Sequence, residues 1–165
     1  MPIQMRLYLD NNIVAAIARR QQPSQAEALN YLLQAYENRE VLLATSDITR
    51  DEIQRAPQRH QAPLNDTFDR LAKVPIVRWE DLDHITSDGM GNNWPVLEKD
   101  QLYQCLLTLG LELIDAQHVF VAARTSCNAF LTCDGVILHH RNAIKDLCGM
   151  VVQRPSDFVK SGSDS

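Results

Sequence analysis

The chain has 165 residues, 45% of them hydrophobic, which is the size of one compact domain with room for a substantial core. Its 16 basic and 21 acidic residues leave a formal charge of −5, which argues against a protein that grips nucleic acid through a broad basic face; a substrate bound through metal ions stays open. No apolar run reaches membrane-spanning length and the N-terminus lacks a basic-then-apolar leader, so a soluble, cytoplasmic protein without a membrane partner is expected.

The first apolar run, Met5-Arg6-Leu7-Tyr8-Leu9, reads as a buried strand that stops at Asp10. Asp10-Asn11-Asn12 offers caps for a helix carrying Ile13, Val14, Ile17 and Ala18 on one stripe. Ser24 and Glu27 are spaced as a capping box for a second helix, with Leu29, Leu32, Leu33 and Tyr36 at i, i+3, i+4 and i+7. Val41-Leu42-Leu43-Ala44-Thr45 is continuous and apolar, as a strand covered on both faces would be. A helix from Ser46 through Ile53 should stop at Pro57, residues 57–64 should form a connector, and a short helix around Phe68, Leu71 and Ala72 should lead to a third strand over Val74–Trp79.

The segment Glu80–Pro95 has no helical period and reads as a long surface loop. A helix follows with Leu102, Cys105, Leu106 and Leu109, stopping at Gly110, and then a helix capped by Asp115 with Ala116, Val119, Phe120 and Ala123. Ala129-Phe130-Leu131-Thr132-Cys133 is a second buried strand that stops at an acid, Asp134. A weaker helix around Ile144 and Leu147 and a last strand over Gly149–Val152 close the domain at residue 159, and 160–165 should form a disordered tail. Cys105, Cys127, Cys133 and Cys148 form no C-x-x-C pair and read as reduced thiols. Strands alternating with helices argue for an α/β domain with a mainly parallel central sheet and right-handed crossovers.

In such sheets the ends of the strands collect ligands and catalytic groups. Four carboxylates stand at strand ends or helix starts: Asp10, Glu52, Asp115 and Asp134. Each has a purely structural explanation, as an N-cap (Asp10, Asp115), a capping-box acid (Glu52 with Thr49) or a turn residue (Asp134 before Gly135). Jointly the explanation weakens, because caps and turns accept Ser, Thr or Asn as readily as an acid. Oxygen donors without sulfur or a paired imidazole suit Mg²⁺ or Mn²⁺ better than zinc.

The succession Leu7-Tyr8-Leu9-Asp10-Asn11-Asn12, Thr45-Ser46 followed by Asp51-Glu52-Ile53, Ile114-Asp115-Ala116-Gln117-His118, and Phe130-Leu131-Thr132-Cys133-Asp134 resembles the PIN-domain ribonucleases, including the VapC-like toxins of toxin–antitoxin pairs. Val151–Phe158, with its Pro155-Ser156-Asp157-Phe158 end, is similar to the close of such domains. The resemblance implies a single three-layer α/β/α domain with about four to five strands. It further implies a metal site of Asp10, Glu52, Asp115 and Asp134 that hydrolyses RNA phosphodiester bonds, an antitoxin protein as partner and a homodimer. Two departures stand out: Asn11 replaces the family's frequent Ser or Thr, and the residues directly after Asp134 (Gly135, Val136, Ile137, Leu138) supply no further acid.

Among the remaining candidates, Asn12 directly follows the Asp10 turn and its amide can bond a carboxylate or a phosphate. His118 could orient a carboxylate or be a packed helix histidine, Thr132 precedes Asp134 by two positions, and Arg50, with Arg55 and Arg59, could hold phosphate or be solvated. Trp79 and Trp94 could stack on bases. The competing functional class is a PIN-like RNA- or protein-binding module without activity. A phosphatase with an aspartate nucleophile would need an acid at position 12, where Asn12 stands.

Overall fold

A computed structural model describes residues 4–76 and 100–163 of the chain. Among these, five parallel strands form one sheet: β1 (Met5–Leu9), β2 (Val41–Thr45), β3 (Ala72–Lys73), β4 (Ala129–Leu131) and β5 (Val151–Gln153), in the order β3-β2-β1-β4-β5. The central strand β1 sets Leu7 opposite both Leu43 and Ala129. All strands run the same way, so their C-terminal ends open onto one edge.

Side chains alternate across a strand, and here the alternation sorts the core into two layers. Tyr8, Ala44, Phe130 and Val152 face one cluster with Leu106, Val119, Phe120 and Ile144. Leu7, Leu9, Leu43, Ala129 and Leu131 face the other, with Ile13, Val14, Leu29 and Leu32. The second layer is built by α1 (Asn11–Arg19), α2 (Ala26–Glu37) and the Phe158 and Val159 side chains of α9 (Pro155–Ser163). The first is built by α5 (Gln101–Thr108), α6 (Leu113–Arg124), α7 (Gly135–His139) and α8 (Arg141–Cys148). The result is the expected single α/β domain, with helices on both faces of a parallel sheet.

Several elements differ from the sequence expectation. Ser24 does not cap a helix, because Pro23–Gln25 form a 3₁₀ turn and the helix after it has no side-chain cap. Gln25 points inward instead, and its Oε1 accepts from the Ser156 amide at 2.8 Å, satisfying a free donor in the first turn of α9. The connector and short helix expected over 57–72 are one helix, α4 (Gln58–Arg70), which follows α3 (Asp47–Arg55) and contains Pro63. Pro63 lies in the second turn, where only one intrahelical bond is lost, and burial of Leu64 and Phe68 against Ile53 outweighs that loss.

The third strand comes earlier than Val74–Trp79 and spans only Ala72–Lys73; residues 77–79 of that expectation lie outside the described residues. The loop expected over Glu80–Pro95, with Trp94, lies outside them too. The last strand is shifted to Val151–Gln153; the helix expected around Ile144 and Leu147 is α8, and a short helix not expected, α7, precedes it. The tail expected to be disordered from Lys160 is helical through Ser163, because Phe158 and Val159 anchor α9 against the core.

Candidate functional site

Asp10 ends the central strand and is 3% exposed. Its carboxylate caps α1, with Oδ1 accepting from the Asn11 amide at 2.8 Å. Its Oδ2 accepts from the Thr132 hydroxyl at 2.8 Å and from the Asn12 side-chain amide at 3.0 Å. Thr132 is the residue opposite Asp10 once the β1–β4 register, Tyr8 against Phe130, runs on by two. The Thr132 oxygen also accepts from Asn12 Nδ2 at 3.1 Å and from the Asp134 amide at 3.0 Å, so its one donor and both lone pairs are used. Asn12 Oδ1 accepts from the Cys133 amide at 3.0 Å and ties the first turn of α1 to the end of β4. This closed network fixes the Asp10 carboxylate.

A second chain of hydrogen bonds approaches from α3 and α6. His118 is fully buried; its Nε2 lies 2.5 Å from Glu52 Oε1 and 4.0 Å from Asp10 Oδ1, and its Nδ1 lies 2.7 Å from the Tyr8 hydroxyl. Tyr8 in turn is 2.7 Å from the Ser46 hydroxyl, which accepts from the Ile48 amide and caps α3. A carboxylate can only accept, so Nε2 carries a proton and the Tyr8 hydroxyl can donate to Nδ1. Burial raises the Tyr8 pKa well above the usual phenol range and keeps that proton in place. Tyr8 also stacks on Phe130, with centroids 5.4 Å apart.

The remaining two acids are differently held. Asp134 caps α7, with Oδ1 accepting from the Val136 amide at 2.8 Å and the Ile137 amide at 3.3 Å. Asp115 lies in the first turn of α6 and does not cap it, since the N-cap is Glu112. Burial, with the negative charges of Asp10, Asp134 and Glu112 behind it and His118 opposing, pushes the Asp115 carboxyl up to about 6. Burial likewise raises the Asp10 carboxyl, against the lowering influence of His118, Thr132 and Asn11. Asp10, Asp115 and Asp134 thus stand close enough to feel one another.

Glu52 lies past the first turn of α3, whose cap is Ser46, so neither Glu52 nor Asp115 has the capping role that could have explained its acidity. Asn12, His118 and Thr132 all join the two networks. Arg50 instead pairs with Asp47 at 3.4 Å and lies over the Phe68 ring. Tyr8 and Ser46 were not singled out by sequence reasoning. A signal existed for Tyr8: it stands two residues before Asp10 in the strand, on the same face, and brings a hydroxyl into an apolar run.

As donors, these residues suit a hard cation: four carboxylates, an Asp115 carboxyl raised by burial and by the charges of Asp10 and Asp134, and a cap on α7 that uses only the Oδ1 of Asp134. As the side chains stand, among the described residues no three His, Cys, Asp or Glu groups are disposed to hold an ion together. The contact with His118 occupies one oxygen of Glu52.

No family model matches the chain, and no curated protein matches it significantly. Among solved structures, the chain is similar to one from the crystal structure of VapBC2 from Rickettsia felis bound to a DNA fragment from their promoter. The two share 15% identity and a TM-score of 0.55 over 91% of this chain and 98% of that one. At this identity the likeness speaks for the fold, and it supports the α/β architecture.

Proposed function

We propose that this chain is a PIN-type endoribonuclease that depends on Mg²⁺ or Mn²⁺ and acts as the toxin of a pair whose antitoxin protein holds it inactive. The observation that carries the reading is that Asp10 and Glu52 approach a common His118 Nε2, at 4.0 and 2.5 Å, where β1 ends, with the Asp115 carboxyl raised by burial and by the charges of Asp10 and Asp134. Like charges gathered at the place where α/β sheets bind ligands call for a cation. The sequence motifs and the fold shared with a chain of the VapBC2 complex support the toxin assignment.

In this reading Asp10, Glu52, Asp115 and Asp134 hold one or two ions, which when bound would activate water and stabilise charge on the departing oxygen. Thr132 and Asn12 keep the Asp10 carboxylate in one orientation. His118 holds Glu52 within reach of the edge and is itself steadied by Tyr8. Asp115, which titrates at about 6, would be mostly ionised at neutral pH and so able to hold a cation there, and no side chain is needed as nucleophile. The test is hydrolysis of single-stranded and tRNA-like RNAs with Mn²⁺ or EDTA, beside Asp10→Asn. Cleavage that needs Mn²⁺ and is lost in the variant supports the proposal; cleavage in EDTA or full activity of Asp10→Asn overturns it.

A second reading is favoured by one observation: the donors are not pre-arranged around a point, and Glu52 is bonded to His118. It is a PIN-like binding module that keeps the acids without activity. Metal binding separates the two, because the module has no use for the ion.

A further inference from the structure

Along the edge strand β5 a cavity of about 330 Å³ opens between α8, β5 and α9. Arg141, Asn142 and Lys145 line it from α8, Gln153 and Val152 from β5, and Asp157 from α9. Arg141 and Lys145 are exposed, and among the described residues neither forms an ion pair. They are four residues apart on one helix, so both point to the same side, about 6 Å apart along the axis. Two carboxamides, Asn142 and Gln153, add neutral donors.

The cavity is physically joined to the acidic edge. The Gln153 carbonyl accepts from the Thr132 amide at 3.1 Å, and Thr132 carries the hydroxyl that holds Asp10. On the other side α7, capped by Asp134, leads directly into α8 and Arg141. The two sites thus share the β4–β5 pairing, and a nucleic-acid strand bound at the carboxylates has this cavity as a neighbouring surface. With a net charge of −5, the chain has little general attraction for such a strand, so a local pair of exposed cations matters more here than on a basic protein.

We propose that this cavity is a phosphate-binding subsite, in which Arg141 and Lys145 engage the RNA backbone next to the bond that is cut and Asn142 and Gln153 supply further donors. The inference rests on the ribonuclease reading for its substrate. Contacts of this kind position the strand and carry no base information. An acidic peptide would find the same two cations and the same Asp157 carboxylate; the phosphodiester strand is preferred because it is the ligand for which the adjoining edge is proposed.

The experiment reads binding and not cleavage. A short fluorescein-labelled single-stranded RNA is titrated with the full chain in EDTA at several salt concentrations, beside Arg141→Ala/Lys145→Ala and Arg141→Lys/Lys145→Arg. Each lost phosphate contact should flatten the slope of log K against log salt by about 0.7. The alanine pair should therefore show a clearly shallower slope and weaker binding at low salt, and the charge-keeping pair should restore both. An unchanged slope in the alanine pair, or no RNA binding by the parent chain at low salt, overturns the subsite. So does a poly-glutamate peptide that binds with the same dependence on Arg141 and Lys145 while RNA does not. Both residues are exposed, so the variants should keep the parent thermal transition. If the parent binds RNA through this cavity but never hydrolyses it, the ribonuclease reading fails and the subsite stands.

Discussion

His118 Nε2 and Glu52 Oε1 lie 2.5 Å apart, although the two residues come from different helices 66 positions apart in the chain. The contact links α3 to α6 and, through Tyr8, to the central strand. His118→Ala would strip a buried phenol and a carboxylate of a partner at once and should cost about 2–4 kcal/mol. His118→Gln, which can still reach Glu52, should cost less. Urea denaturation of the two variants measures the difference, and equal losses would mean that the Glu52 contact contributes nothing to stability.

Thr132 makes a similar link between β1 and β4, with its hydroxyl donating to Asp10 and accepting from Asn12 and the Asp134 amide. Thr132→Val keeps the shape and deletes all three bonds, leaving buried polar groups unmatched at a cost of about 1–3 kcal/mol. Thr132→Ser should stay near the parent. Denaturation midpoints that do not separate Val from Ser would show that the network is not holding the carboxylate.

Asp134 has two separable roles. As the cap of α7 its Oδ1 takes the Val136 and Ile137 amides, and asparagine can do the same. Asp134→Asn should therefore melt near the parent, and Asp134→Ala should lose about 1 kcal/mol. Under the proposed function both variants lose RNA hydrolysis alike. A normal rate in Asp134→Asn would reduce Asp134 to a cap.

The pH dependence follows from the raised carboxyls. Asp115 titrates at about 6 in the fold, above its ordinary value, and the Asp10 carboxyl is raised too. A group raised in this way stabilises the fold fully below its unfolded pKa, and that contribution is lost as the pH rises through the folded one. Without divalent metal the protein should therefore melt higher as the pH falls from about 7 toward about 5. Asp100 works the other way: burial pushes it up, but hydrogen bonds from Arg124 and Leu102 win, so its contribution is lost only at more acidic pH. Mn²⁺ should raise the melting temperature at neutral pH and lose that effect below about 6, where a proton holds Asp115. Thermal melts of the parent and Asp115→Asn, with and without Mn²⁺, check both signs.

Much of this arrangement was legible because strong local signals agreed with one another. The two apolar runs ending at Asp10 and Asp134 read directly as strands; the four acids are singled out in the sequence because caps and turns alone do not call for an acid at all four places. The 57–72 region was misread for a physical reason: Pro57 and Pro63 punctuate a helix that Leu64 and Phe68 hold by packing, which a local rule does not see. The Tyr8–His118–Glu52 chain could not be read from spacing, since its members meet only through the sheet register and the approach of α3 to α6. Asp115 was expected as a cap; the cap lies three residues earlier, at Glu112, and Asp115 stands in the first turn of the helix.

The measurement that tests the central claim most directly is calorimetric titration of Mn²⁺ into the parent chain and into Asp115→Asn at neutral pH. The account predicts saturable binding to the parent and a loss of about tenfold or more in the variant, the scale on which removing one charged ligand acts. No heat of binding at millimolar Mn²⁺, or equal binding by the two proteins, would contradict it.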